Sequence, residues 1–184
     1  MAAKKKFFEL ELPIIKQKVE LYGTSEDDLE GRSVKIDLTR KLRGKGVEII
    51  FKVIKDKEKL NVIPSRLHLF SYYIRRMMRK SVDYVEDSFD VESKNAHLRV
   101  KPFLITRKKV TRNVRKALRN KAKEEIIKSF GNKNFEDIFD ELISNRFQRN
   151  LSLKLKKIYP LGFCDIRDIY LKEKKDMVKK VKVK

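Results

Sequence analysis

From Arg99 to Lys123 the chain reads RVKPFLITRKKVTRNVRKALRNKAK, twenty-five residues with eleven Lys or Arg and no Asp or Glu. No fold can bury so many like charges without partners, because an unpaired ion is costly to take out of water. The first part, Leu98 to Ile105, is apolar enough for a strand, and Pro102, which cannot donate to a ladder, predicts an edge strand or a bulge. From Thr111 the spacing turns helical, with Val114, Ala117 and Leu118 recurring at three and four residues. At about 100° per residue, Arg112, Arg115, Lys116, Arg119 and Lys123 fall in the arc opposite those three. The apolar stripe continues through Ala122, Ile126 and Phe130 in steps of four, each drifting by about 40°, so the second half must bury a different side from the first. Gly131 supplies a C-terminal stop.

A charge run is ordinarily a solvated surface. Here five cations on one helix face repel one another, and no carboxylate before Glu124 relieves them. A polyanion relieves all of them together, since phosphates bound by Lys and Arg release condensed counterions. With 47 basic and 26 acidic residues the net charge is +21, an excess typical of polyanion binders. The 184 residues suit one nucleic-acid-binding domain, or one domain with a small helical annex, over 1–172, followed by a lysine-rich tail at 173–184. Within it we expect a β core over about 7–107, a helical part over about 111–160 and a returning strand over about 163–171. A hydrophobic fraction of 41% is enough to fill a core. The single cysteine, Cys164, rules out an intramolecular disulfide and a cysteine-based zinc site, and it suits a reducing compartment. No apolar run approaches the roughly 20 residues of a membrane span, and MAAKKKFF lacks a signal peptide's apolar core, so a soluble intracellular protein without a membrane partner is expected.

Along the chain, alternation predicts strands over Phe7–Leu12, Lys18–Tyr22, Ser33–Thr39 and Val47–Lys55. Lys4, Lys5 and Lys6 precede the first strand. Arg40, Lys41, Arg43 and Lys45 occupy the hairpin loop between the third and fourth, a basic finger suited to phosphates. A short strand over Leu60–Ile63 is expected to break at Pro64-Ser65, with Ser65 capping a helix over Arg66–Lys80. Arg75 and Arg76 in its last turns are candidate RNA contacts, although cations there, with Arg79 and Lys80, also suit the helix dipole. A hairpin runs from Val82 to Glu92 and back from His97 to Ile105. Counting from its turn places Asp90 opposite Arg99, which gives Arg99 a structural partner and removes it from the binding candidates. Glu86, Asp87, Asp90 and Glu92 suggest a metal-dependent nuclease, but Asp87 falls on the other side of the strand and no histidine completes the set. His68 and His97 read as packed or exposed rather than as ligands. Asn134 is expected to cap a helix carrying Phe135, Ile138, Phe139, Leu142 and Ile143, and Phe147, Leu151, Leu155 and Ile158 mark a third. The helices stop at Tyr159-Pro160-Leu161-Gly162.

Several segments in order resemble one family: KKKFFELELP, GRSVKIDL, SYYIRRMMRKSVDYVEDSFDVESKNAHLRVKPFLITRKK, TRNVRKALRNKAKEEI and KKIYPLGFCDIRDIYL. Together they resemble the archaeal and eukaryotic small-subunit ribosomal protein family called S-three-a, or eukaryotic-type S-one, over about Lys6 to Lys172. The N-terminal extension is much shorter than in eukaryotic members, and contacts made by that extension do not carry over. The resemblance implies an α+β fold with an antiparallel β-barrel-like core, one helix between strands, about three C-terminal helices and a last strand returning to the sheet. It also implies a place on the small-subunit platform near the messenger exit, against ribosomal RNA and the platform protein S-eleven, with messenger RNA nearby. It brings no catalytic residue, metal or cofactor. Its matching cationic segments are Arg107-Lys108-Lys109 and Arg112 through Lys123, which the charge pattern also singles out. The expected function is a structural constituent of the small ribosomal subunit. The alternative is an RNA-processing or RNA-modifying enzyme, which needs a convergent acid, base or metal site that the sequence does not offer.

Overall fold

Period-two alternation organises the first third of the chain, and the computed structural model describes residues 5–56 and 59–174. Strand β1 (Lys6–Leu12) pairs antiparallel with β2 (Gln17–Gly23), burying Leu10 and Leu12 while Glu9 and Glu11 face outward. A one-turn helix, α1 (Glu26–Leu29), leads into β3 (Ser33–Asp37), β4 (Val47–Asp56) and β5 (Lys59–Leu69), which pair in sequence order. Val47, Ile49, Phe51 and Val53 are all buried, as their alternation requires.

The expected helix over Arg66–Lys80 is much shorter in the structure. β5 runs on through Leu69, and α2 covers only Ser71–Met77. Leu67 and Leu69 are buried at period two, while Arg66 and His68 lie opposite Tyr170 and Asp168 of a distant strand. That pairing overrides the helical spacing of Leu67, Phe70 and Ile74. Pro64 does not end the strand: it sits where the β4–β5 register shifts, a bulge position that tolerates a missing donor.

β6 (Tyr84–Glu86) and β7 (Phe89–Glu92) both lie along β8 (Ala96–Thr106), so the first arm of the predicted hairpin is interrupted. Asp90 faces Arg99 as counting predicts, and two 2.7 Å hydrogen bonds join carboxylate and guanidinium. Helices α3 (Arg112–Gly131), α4 (Phe135–Ile143) and α5 (Arg146–Leu155) follow, and then β9 (Leu161–Lys174). β9 inserts between β5 and β8, giving the order β3-β4-β5-β9-β8-β6 with β7 also on β8. Every pairing is antiparallel. The α+β class, the C-terminal helices and the returning strand are as expected, but the sheet is open at β3 and β6 rather than closed into a barrel. Pro102 marks a register shift between β8 and β9, which selects the bulge over the edge strand.

The three helices pack on the sheet: α3 against β6 and β7, α4 against β5, and α5 against β9. Phe130 of α3 and Phe147 of α5 meet with ring centroids 4.8 Å apart, within one contiguous hydrophobic cluster. Asn134 occupies the cap position of α4 but makes no side-chain cap bond; Asn95 Oδ1, in the β7–β8 turn, accepts the Phe135 N–H at 2.9 Å instead. The helix is thereby capped by the sheet it packs on.

Candidate RNA interface

Helix α3 owes its form to a four-residue apolar step. Leu118, Ala122, Ile126 and Phe130 are buried and Val114 is half-buried, so the buried side turns through about 160° between residues 114 and 130. Ala117, expected on the dry side, is exposed, because the stripe follows the four-residue step alone. Arg112, Lys116, Arg119 and Lys123 are exposed and Arg115 is half-buried. Upstream, the Thr106 hydroxyl accepts the Asp83 N–H at 3.1 Å and lies 2.7 Å from the Lys108 carbonyl oxygen, while the Asp83 carboxylate accepts the Val110 N–H at 2.9 Å. These bonds pin the β8–α3 connection and leave Arg107, Lys108 and Lys109 exposed.

Several cations elsewhere in the fold are neutralised by carboxylates. Arg66 and Lys101 pair with Asp168, Arg99 and Lys172 with Asp90, Arg167 with Glu86, and Lys133 with Glu141. On α3 itself Lys121 pairs with Glu124 and Glu125, turned away from the others. Among the described residues, no carboxylate pairs with Arg107, Lys108, Lys109, Arg112, Arg115, Lys116, Arg119 or Lys123. The Lys123 ammonium lies 5.5 Å from the centre of the Phe89 ring, and the buried Arg115 Nε has no hydrogen-bond partner. Three of these charges, Arg112, Arg115 and Lys116, also stand in the first turns of α3, where the helix dipole disfavours cations and favours anions.

The other candidates divide. Lys5 and Lys6 are exposed, with the Lys5 ammonium 5.6 Å from the Tyr22 ring centre, while Lys4 lies outside the described residues, as does the tail from residue 175 onward. Arg40, Lys41 and Arg43 are exposed at the β3–β4 loop, and Lys41 Nζ donates to Gln17 Oε1 at 3.2 Å. Lys45, also expected at the interface, has protein partners: its side chain is 11% exposed and lies 2.6 Å from both Asp165 Oδ2 and Asn145 Oδ1. Its charge balances a buried carboxylate and does not face outward. Arg75 is exposed at the end of α2. Arg76 is exposed too, but donates to the Gly44 carbonyl oxygen at 3.2 Å and stacks on Tyr73, so it also ties the basic loop to α2. Arg79, expected to suit the helix dipole, lies beyond the end of α2 at Met77 and reaches a concavity that Arg76 and Arg107 also line.

The acids that suggest a nuclease are otherwise engaged: Glu86 bonds Arg167, and Asp90 bonds both Arg99 and Lys172. Among the described residues no group of three or more His, Cys, Asp or Glu side chains could hold a metal ion. His68 lies on a strand rather than a helix, and burial pushes its imidazole below its ordinary pKa. No helix among the described residues is long and apolar enough to cross a membrane.

The sequence pattern of the Ribosomal S3Ae family matches residues 2–175. The small ribosomal subunit protein eS1 of Nanoarchaeum equitans is 27% identical over 176 residues, covering 91% of this chain and 89% of that protein. The proteins of the same name from Desulfurococcus amylolyticus and Archaeoglobus fulgidus are 25% and 26% identical, covering 88% and 91% of this chain and 80% and 84% of their own lengths.

Proposed function

The chain belongs to the Ribosomal S3Ae family, and from that membership we propose that it is a structural constituent of the small ribosomal subunit, in the cytoplasm, held there by ribosomal RNA. What supports an RNA partner is the unpaired charge of Arg107, Lys108 and Lys109 and of the Arg112, Arg115, Lys116, Arg119 and Lys123 arc, set on a fold that neutralises several cations of its sheet. A protein that balances Arg66, Arg99 and Lys101 with carboxylates, yet leaves α3 unbalanced, keeps that face for an anion it does not itself supply. The phosphate backbone of folded RNA fits, and a rigid helix reads its shape rather than its bases. The exposed Lys5, Lys6, Arg40, Lys41, Arg43, Arg75 and Arg76 are also proposed to reach RNA, as is Lys4, which lies outside the described residues. The resemblance adds a position on the platform near the messenger exit, beside S-eleven. The chain is a structural component rather than an enzyme, in keeping with the relatives' names. Sedimentation of cell extract through sucrose tests the reading: the protein should travel with small subunits and be released by concentrated salt, as phosphate contacts require. A predominantly free pool at low salt would contradict it.

A further inference from the structure

Where β8 ends and β9 begins, a concavity of about 550 Å³ opens beside the end of α2. Its lining is divided by chemistry. Ile105 is buried and Val82 and Phe163 are half-buried, forming an apolar floor, while Arg76, Arg79 and Arg107 are exposed around it. Among the described residues no carboxylate lines the concavity, and the Arg79 and Arg107 guanidiniums make no hydrogen bond or ion pair. The floor is backed by aromatic rings, since Phe163 packs edge-on against both Tyr73 and Phe103 with centroids 6.0 and 6.5 Å away. An apolar floor under unpaired guanidiniums suits a ligand with a flat, weakly polar body and an anionic edge. A nucleotide has that shape, and the volume lies within the range that encloses one.

We propose that this concavity receives a single unstacked nucleotide of the bound RNA, its base against Val82 and Phe163 and its flanking phosphates held by Arg79 and Arg107. The proposal rests on the RNA-binding reading above and adds to it a site off α3. Arginine suits the task because its planar fork can bond a phosphate with two parallel hydrogen bonds, and Arg107 leads directly into the cationic run. A nucleotide seated here would fix the register of the RNA along α3, which a row of phosphate contacts alone cannot do.

The test is Val82→Phe, which fills the floor without changing charge, alongside ultraviolet cross-linking of the unaltered protein to small-subunit ribosomal RNA. V82F should weaken RNA affinity about tenfold, the order of one lost base-stacking contact, with the salt slope unchanged. In the unaltered protein a nucleotide should cross-link to Phe163 or Met77. Affinity of folded V82F within about twofold of the parent, together with no cross-link at those residues, would overturn the pocket; this is also the result if a protein segment sits there. Should V82F not fold, the cross-links decide alone, and their absence overturns the proposal. If the unaltered chain shows no salt-dependent affinity for ribosomal RNA, the functional reading falls and the pocket with it. Failure of V82F and of the cross-links alone removes only the pocket.

Discussion

Lys41 and Lys45 share one basic loop and have different electrostatic roles. Lys41 is exposed, and its ammonium donates to Gln17 Oε1 with no ion pair among the described residues. Lys45 neutralises Asp165, whose other oxygen bonds Gln148 Nε2 at 3.1 Å and its neighbour's Ile166 N–H at 2.8 Å. Removing the cation would strand a carboxylate that is 6% exposed, so Lys45→Ala should lose about 3 kcal/mol of stability. Lys41→Ala should melt like the parent but bind RNA less tightly. Urea midpoints and RNA titrations of the two variants check both halves of this expectation, and a stable, weakly binding K45A would return Lys45 to the interface. Asp168 is a second buried carboxylate of this kind. Burial pushes its pKa up, but the Arg66 fork and Lys101 together outweigh that and hold it below the usual carboxylate range. It carries structure, and it occupies cations that would otherwise join the free set.

Helix α3 carries both kinds of residue on one element, which allows fold and binding to be separated. Leu118→Asp would bury an unpaired charge at a fully enclosed position and should cost about 3 kcal/mol or more. Arg119→Ala, on the exposed arc, should leave the melting temperature nearly unchanged while weakening RNA binding. Equal losses of stability in both would mean that the helix faces are reversed. That α3 is amphipathic was legible from its own residues, and so was the Asp90–Arg99 register, because both follow from spacing within one local segment. What was not legible depends on β9. Arg66 and His68 read as helical until Asp168 is placed opposite them, and Lys45 reads as a free cation until Asp165 arrives beside it. Neither carboxylate is near in sequence, and no periodicity in the first strands signals them. Ala117 and Arg79 are obscured for a more local reason: the stripe on α3 follows the four-residue step alone, and α2 stops at Met77, short of Arg79.

Because β9 fills the gap between β5 and β8, the sheet is complete only when the last strand is in place. The helices fold back over that sheet and turn the outer arc of α3 away from it, so the unpaired cations are held on a frame fixed by the whole structure. Cations on such a frame lose little freedom on binding, and arginine adds bidentate phosphate bonds. The central claim is therefore that the Arg112–Lys123 face anchors the protein on RNA more strongly than its lysine-rich C-terminus. Replacing Arg112, Arg115 and Arg119 together with Gln removes three charges, and deleting Lys179 to Lys184 removes four. The deciding measurement is the affinity of both variants for small-subunit ribosomal RNA at one salt concentration, after circular dichroism has shown each to be folded. The rigid-face account predicts the larger loss from the triple substitution; a larger loss from the deletion, the order that charge counting gives, would contradict it.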